Sequence, residues 1–236
     1  NFFLDDNFIK QDLFCSFFDY GKDKKYNLDI SNTYIYKEDV VNRIFNFEPN
    51  SKIVIGYRDP FSRIESAFHF KKRNGEIPQN ETLESALIDD KFDLIKTNYY
   101  TKLTQPYINN FGLENIFILE FSRLQNDPKK LLIDLFKFLS VKVHFNEKFL
   151  DKKINPASSF RIKQLSYLSK PVSSTLRKLK FYKVLNYIKT SNFIQKLLFK
   201  ELNESREKLS TSQKEFILKS PGFQDDLKQF RKYFNL

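Results

Sequence analysis

The feature that most constrains the fold is a short apolar run that leads directly into a helix start. Residues 52–57 (Lys-Ile-Val-Ile-Gly-Tyr) are β-prone and lack the alternation of apolar and polar residues that is typical of a half-buried strand. Asp59 and Pro60 follow, and an aspartate before a proline at the first helical position favours the start of a helix. The pattern predicts a strand buried on both faces in a parallel sheet, followed by a helix over residues 60–73.

The same order of strand and helix recurs further along the chain. Residues 116–121 form a second apolar run, and Asp127-Pro128 starts a helix that is predicted to extend to Leu139. The other predicted elements are a short strand within residues 26–36 and helices over residues 37–47, 82–89 and 93–110, with a kink or a break at Pro106. Strands that alternate with helices predict the α/β class, and residues 1–236 contain no internal repeat or long linker, so we expect one domain.

Arg58 lies at the carboxyl end of the first predicted strand, which is where open α/β sheets bind ligands. Ser66 lies about two turns into the following helix, and Arg63 shares a face with Ser66 because the two are three residues apart. A guanidinium, a hydroxyl and the unpaired N–H groups of a helix start together suit a phosphate group. A salt bridge between Arg58 and a neighbouring carboxylate is the alternative that these residues leave open.

The string from Lys52 to Phe68 resembles the 3′-phosphate-binding motif of sulfotransferases that use 3′-phosphoadenosine 5′-phosphosulfate (PAPS) as sulfate donor. That motif is an apolar strand followed by R-D-P-x-x-R-x-x-S-x-[YF], and its spacing is matched throughout. The resemblance implies a P-loop-NTPase-like α/β fold of three layers, with a central parallel sheet flanked by helices. It also implies that Arg58 and Ser66 hold the donor's 3′-phosphate and that Arg63 supports the site.

The resemblance continues on both sides of this motif. Residues 29–34 are similar to the family's acidic-x-Ser-Pro-x-Tyr segment, with Asn32 in place of the proline. Residues 99–139 are similar to its helix, strand, E-D-L-x-x-D-P turn and next helix, although Ser122 and Arg123 replace the Glu-Asp pair. Because that turn has a structural role in the family, we expect this replacement to be tolerated.

Other parts of the family's donor site match less well. Residues 155–163 lie where family members close a basic loop over the nucleotide, which implies Arg161 and Lys163 as further donor-binding residues. The five glycines of the chain form no Gly- and hydroxyl-rich loop of the kind that cradles the 5′-phosphosulfate in the family. The family's general base would precede Asn1, so the resemblance implies a sequence shortened at its N-terminus, without the first strand and that loop, and inactive as it stands.

The net charge of +11 is unevenly distributed. Residues 1–151 carry 21 Lys and Arg against 23 Asp and Glu, whereas residues 152–236 carry 19 against 6, and no acidic residue lies between Lys152 and Lys200. Such a stretch favours an anionic partner, which by charge alone is a nucleotide, an acidic glycan, a nucleic acid or an acidic membrane surface in peripheral contact. A solvated basic face is the alternative.

The resemblance implies transfer of a sulfuryl group from PAPS to a hydroxyl or amine, leaving adenosine 3′,5′-bisphosphate (PAP), with no metal required. The acceptor expected is a carbohydrate or other glycoconjugate. His69 and His144 are interpreted as structural or surface histidines, and Cys15, the single cysteine, excludes an intrachain disulfide and a cysteine-based zinc site. The expected compartment is the cytoplasm in a bacterium, or the Golgi lumen in a eukaryote with a membrane anchor before Asn1.

Two other functions stay open on the sequence. A nucleic-acid or acidic-polymer binding protein would use the basic region after Lys152, although base-stacking aromatics interleaved with charge on a recognisable module are not found there. A P-loop kinase would need a G-x-x-x-x-G-K-[ST] string, which the 236 residues do not contain. We therefore expect an anionic nucleotide donor, and not a nucleic acid, as the partner.

Overall fold

The computed structural model describes residues 2–4, 24–143, 158–160, 191, 199–201 and 207–236. The chain divides into two compact units, which alternate along the sequence. The first comprises Asn1–Ile64, Ala86–His144 and Leu209–Leu236, and the second comprises Glu65–Ser85 and Phe145–Lys208. The expectation that residues 1–236 act as one domain stays a prediction.

The first unit is built on a pair of parallel strands. β1 spans Ile53–Tyr57 and β2 spans Ile116–Glu120, with Ile53 opposite Ile116 and Tyr57 opposite Glu120. Both predicted strands and their parallel pairing are thus confirmed. β2 ends one residue earlier than predicted, because Phe121 already belongs to the next helix.

Helices account for most of the remaining described structure. They are α1 (Glu38–Phe47), α2 (Pro60–Arg73), α3 (Leu83–Ile88), α4 (Tyr100–Phe111), α5 (Phe121–Asn126), α6 (Pro128–Phe138), α7 (Thr211–Leu218) and α8 (Phe223–Phe234). Short 3-10 turns cover Phe2–Leu4, Tyr34–Tyr36, Lys96–Asn98 and Leu113–Asn115. In the second unit, β3 (Ser158–Phe160) and β4 (Phe199–Glu201) form an antiparallel pair. The α/β class and a parallel sheet flanked by helices are therefore confirmed.

The two helices that were predicted from an Asp-Pro start begin where expected. Asp59 Oδ1 accepts a hydrogen bond from Ser62 N at 2.9 Å, and Pro60 is the first residue of α2. Asp127 Oδ1 accepts one from Lys130 N at 3.0 Å at the start of α6. Each aspartate thus satisfies an N–H group that a helix start leaves unpaired, which is why this local signal fixes the boundary well.

The core of the first unit lies on one face of the two strands. Ile55 and Tyr57 of β1 pack there among buried side chains of α1, α4 and α8, namely Val41, Tyr100, Tyr107, Phe111 and Phe230. Val54, on the opposite face of β1, keeps 40% of its surface exposed. The prediction that β1 is buried on both faces is therefore wrong for the described structure, because the helices of this core cover the face of Ile55 and Tyr57.

The short strand predicted within residues 26–36 is absent from the described structure. Leu28 and Ile30 are exposed, at 72% and 78%, so their side chains supply no burial to stabilise a strand. The Ser31 hydroxyl instead accepts a hydrogen bond from Thr33 N at 3.3 Å, and a 3-10 turn follows. Short polar side chains that bind nearby backbone in this way compete with strand pairing.

The helix predicted over residues 93–110 begins late, at Tyr100. Asp90 and Asp93 take positive φ angles of 43° and 54°, which interrupt a right-handed helix. The Asp90 carboxylate also accepts hydrogen bonds from Ile95 N and Lys96 N, both at 2.7 Å, and this starts a separate 3-10 turn. Pro106 lies inside α4, which is continuous from Tyr100 to Phe111, so it does not break the helix.

No helix in the described ranges combines the length and the apolar composition needed to cross a membrane.

Candidate functional site

The turn between β1 and α2 offers a phosphate fewer backbone donors than the sequence pattern suggested. Pro60 has no N–H group, Ser62 N donates to the Asp59 carboxylate, and Arg63 N donates to the Asp59 carbonyl at 2.8 Å. The carboxylate also places a negative charge where an anion would approach the helix end. The start of α2 thus has few backbone donors left for an anion, and any anion bound at this turn would depend mainly on side chains.

Arg58 is the cationic side chain at this position. It is the first residue after β1, and its guanidinium carbon lies 4.7 Å from the centroid of the Phe121 ring. The strand register explains this contact, because Tyr57 lies opposite Glu120 and the next residues along the two strands are Arg58 and Phe121. The ring holds the cation at the carboxyl edge of the sheet while Arg58 stays partly exposed.

The backbone of Arg58 is held by a buried tyrosine from α4. The Tyr100 hydroxyl donates to the Arg58 carbonyl at 2.9 Å and accepts from Arg58 N at 3.3 Å. Tyr100 is only 3% exposed, and burial raises the pKa of its hydroxyl to about 12, against smaller opposing effects of Arg63 and of the bond to Arg58. The hydroxyl is therefore protonated at neutral pH and able to make both bonds.

Arg63 is engaged within the first unit. Its guanidinium donates to the Thr97 carbonyl at 3.0 Å, to the Thr97 hydroxyl at 3.2 Å and to the Tyr36 hydroxyl. These bonds tie the first turn of α2 to two 3-10 turns of the same unit. They fit the supporting role predicted for Arg63.

The remaining predicted site residues belong to the second unit or lie outside the described residues. Ser66 lies on α2 in the part assigned to the second unit and is partly exposed. His69 belongs to the same unit, where its Nε2 lies 2.9 Å from the Glu207 carbonyl oxygen, as a structural histidine would. Arg161, Lys163 and His144 lie outside the described residues, as does nearly all of the acid-free stretch from Lys152 to Lys200. The donor-binding roles of Ser66, Arg161 and Lys163 therefore stay predictions.

Asp226 is a residue near this site to which sequence reasoning gave no role. Its carboxylate accepts hydrogen bonds from Thr101 N at 2.9 Å and Lys102 N at 2.8 Å, and the Thr101 hydroxyl donates to its carbonyl at 2.6 Å. Tyr99, at the N-cap position of α4, makes no such side-chain bond. Burial raises the pKa of Asp226, and the two N–H donors oppose this. Asp226 thus caps the first turn of α4, where its bonding partner Thr101 lies 125 residues earlier in the chain.

We expect Asp226→Ala to lower the free energy of unfolding by about 1–2 kcal/mol, because it removes the cap of α4. Urea denaturation followed by circular dichroism measures this loss. Asp225→Ala is the matched control, since Asp225 also lies in the first turn of α8 but makes none of these bonds to Thr101 and Lys102. Equal losses in the two variants would show that charge at the α8 start, and not capping of α4, is what matters.

One pre-formed cleft of the first unit does not include Arg58. A cleft of about 520 Å³ lies between α1, α4 and the start of α8, and all of its lining residues except Pro106 have polar or charged side chains. Its lining residues are Glu38, Asn42, Thr101, Lys102, Gln105, Pro106, Asn109, Asn110 and Asp226. In the ranges that the structure describes, no three His, Cys, Asp or Glu side chains come together as a metal site would require. The site thus consists of charged and polar side chains at a sheet edge.

Comparison with known proteins adds independent information. A protein-family model described as "Sulfotransferase domain" matches residues 32–219, which is well over half of the chain and includes β1, the Arg58 turn and α2. Two mouse proteins, heparan sulfate glucosamine 3-O-sulfotransferases 3B1 and 3A1, are each 26% identical over 116 residues. The matched part is 47% of this chain and 30% of each relative, so the chain spans less than a third of their length.

A solved structure supports the fold. The crystal structure of a sulfotransferase from Alicyclobacillus acidocaldarius superposes with a TM-score of 0.51 at 20% sequence identity, over 62% of each chain. At this identity the likeness concerns the fold alone. It agrees with the parallel strands and flanking helices described above.

Proposed function

The chain belongs to the sulfotransferase domain family, and on that premise we propose that the protein transfers a sulfuryl group from PAPS to a hydroxyl or amine of a carbohydrate acceptor. Family membership supports sulfuryl transfer in general. The donor and the acceptor class are the finer parts of the proposal.

One observation carries the proposal of a PAPS donor: Arg58 follows a parallel strand directly and precedes the Asp-Pro start of α2. At that position a guanidinium meets a ligand at the carboxyl edge of the sheet. Its planar fork of N–H donors fits two oxygens of one phosphate group, which a lysine cannot match. Together with the motif spacing to Ser66, this supports Arg58 and Ser66 as the residues that bind the 3′-phosphate.

The fit of a phosphate to this turn has a specific physical basis. Asp59 occupies the helix end and would repel an anion placed there, so the phosphate is proposed to meet the Arg58 guanidinium. The Phe121 ring on one side of the cation is apolar, which lowers competition from water for the guanidinium. Binding by a partly desolvated arginine is stronger than binding by a fully solvated one.

The chemistry proposed is an in-line displacement at sulfur. When bound, PAPS would supply an activated sulfuryl group: the bond from sulfur to the phosphate oxygen breaks and its electron pair leaves with PAP, a bond from sulfur to the acceptor oxygen or nitrogen forms, and the acceptor proton passes to a general base. Catalysis of this kind depends mainly on positioning and on stabilising developing charge. The task of Arg58 in this scheme is to anchor the donor through a phosphate remote from the reacting sulfur.

A carbohydrate acceptor is supported by the similarity to the two mouse proteins, which are heparan sulfate glucosamine 3-O-sulfotransferases. The two alternatives from the sequence, a nucleic-acid binding protein and a P-loop kinase, gain no comparable support. The basic region on which the first depends lies almost entirely outside the described residues.

A thermal-shift experiment tests the donor proposal. At about 100 times its dissociation constant, PAP should stabilise the protein by about 2.7 kcal/mol, which corresponds to a rise in melting temperature of about 5–10 °C for a chain of this size. Adenosine 5′-phosphate at the same concentration lacks the 3′-phosphate and should raise it by about 1 °C or less. Equal shifts with the two nucleotides would show that the 3′-phosphate is not recognised, and the assignment of PAPS as donor would fail.

A further inference from the structure

We propose that Tyr100 is a positioning residue for donor binding: its hydroxyl fixes the main chain of Arg58 and thereby the direction in which the guanidinium leaves the sheet. This inference rests on the proposed function, because it assigns Tyr100 a role through Arg58. Neither the motif around Arg58 nor the family match points to this role.

Arg58 lies just beyond the end of its strand. Residues of β1 up to Tyr57 pair with β2, and beyond Tyr57 the ladder ends. The Arg58 N–H and C=O groups therefore need other partners, and the Tyr100 hydroxyl serves both, at 3.3 Å and 2.9 Å. The Tyr100 hydroxyl thus makes the two backbone hydrogen bonds that a paired strand would make to Arg58 if the ladder continued.

Tyr100 is itself firmly held. Its ring packs against Tyr57 with centroids 4.9 Å apart and against Phe230 with centroids 5.1 Å apart. It is the first residue of α4, the helix whose next two N–H groups are capped by Asp226. Because the Tyr100 ring is buried among other rings and its helix is capped, its hydroxyl has little freedom to move. The two hydrogen bonds to this hydroxyl therefore restrict the backbone of Arg58.

The guanidinium of Arg58 is held as well. Its carbon lies 4.7 Å from the Phe121 ring centroid, so the side chain is restrained at both ends, by Tyr100 at the main chain and by Phe121 at the cation. Binding a phosphate with an arginine that is already oriented costs less conformational entropy than ordering a mobile one. Removal of the Tyr100 hydroxyl should therefore weaken binding of the 3′-phosphate that Arg58 is proposed to contact, and leave binding of the rest of the nucleotide unchanged.

Tyr100→Phe tests this directly, since it deletes the hydroxyl and keeps the ring in the core. We expect the dissociation constant for PAP, measured by isothermal titration calorimetry, to rise about five- to tenfold, as for the loss of a buried hydrogen bond that orients a ligand-binding group. The constant for adenosine 5′-phosphate should change less than about twofold, because that nucleotide lacks the phosphate that Arg58 is proposed to bind.

Tyr107→Phe is the matched control. Tyr107 lies seven residues further along α4, about 10 Å away along the helix axis. It is 4% exposed, belongs to the same core cluster, and burial raises the pKa of its hydroxyl to about 12 as well. The control should leave PAP binding unchanged, so a loss common to both variants would indicate a general effect on the core and overturn the inference.

A double substitution distinguishes a positioning role of Tyr100 from a purely structural one. If Tyr100 acts through Arg58, the double variant Tyr100→Phe/Arg58→Lys should bind PAP less than about twofold more weakly than Arg58→Lys alone. The reason is that the oriented guanidinium is already absent from Arg58→Lys. Full additivity of the two effects would overturn the inference, as would unchanged PAP affinity in Tyr100→Phe alone. If instead the unsubstituted protein does not distinguish PAP from adenosine 5′-phosphate, the proposed function fails first and this inference falls with it.

Discussion

Arg58→Ala is expected to weaken binding of PAP by about 100-fold or more. Hydrogen bonds between a guanidinium and a phosphate are worth about 1.5–3 kcal/mol each, and the alanine variant loses the whole fork of donors at the carboxyl end of β1. The 3′-phosphate would then lie beside the carboxylate of Asp59, at the start of α2, without the cation that offsets it. Isothermal titration calorimetry with PAP measures the loss, and the PAP-induced rise in melting temperature should largely disappear.

Two other substitutions show whether the loss is specific. Arg58→Lys keeps the charge and removes the planar fork of N–H donors. Its PAP affinity should therefore lie between those of the unsubstituted protein and Arg58→Ala, with a loss of about tenfold. Arg123→Ala removes an arginine that follows β2 and is ion-paired with Asp134, and PAP affinity should stay within about twofold of the unsubstituted value. If Arg58→Ala and Arg123→Ala bound PAP with equal affinity, Arg58 would not be part of the donor site.

Phe230→Ala is expected to have the largest effect on stability, about 3–5 kcal/mol. The Phe230 ring is 0% exposed and lies with its centroid about 5 Å from the rings of Tyr57, Tyr100 and Phe234. Alanine would leave a cavity between α8, β1 and α4 and remove those ring contacts. Urea denaturation, with the slope checked for constancy, gives the change in free energy of unfolding.

Phe216→Ala provides the comparison. Phe216 lies on α7 and is 44% exposed, so its removal should cost about 1 kcal/mol or less. If the two phenylalanine variants unfolded at the same urea concentration, α8 would not be part of the core of the first unit. The described packing around Tyr57 and Tyr100 would then be wrong, and with it the rigid support of Arg58.

Sequence reasoning succeeded where the determining interactions are local. The start of α2 follows from Asp59 and Pro60 alone, since the cap bond spans three residues. The two strands are recognisable because they are short continuous apolar runs, and their parallel pairing follows from the intervening helices. The position of Arg58 at a sheet edge was predictable for the same reason.

Sequence reasoning failed where an interaction joins distant parts of the chain. The Tyr100 hydroxyl binds the backbone of a residue 42 positions earlier, and Asp226 caps the first turn of α4 by binding Thr101, 125 positions earlier. Neither contact has a local pattern: a tyrosine at a helix start and an aspartate in the first turn of α8 are both ordinary. A local contact was also not fully used: the Asp59 side chain that marks the start of α2 takes up the Ser62 N–H, one of the backbone donors expected there for an anion.

The most direct test of the central claim compares two ligands on two proteins. Calorimetric titration of PAP and of adenosine 5′-phosphate into the unsubstituted protein should give affinities that differ by about 100-fold, the contribution of the 3′-phosphate. In Arg58→Ala that ratio should fall to about fivefold or less, because of the two residues proposed to bind the 3′-phosphate only the Ser66 hydroxyl is left. A ratio that stays at about 100 in the variant would show that another part of the protein reads the 3′-phosphate, and would contradict the placement of the donor at the end of β1.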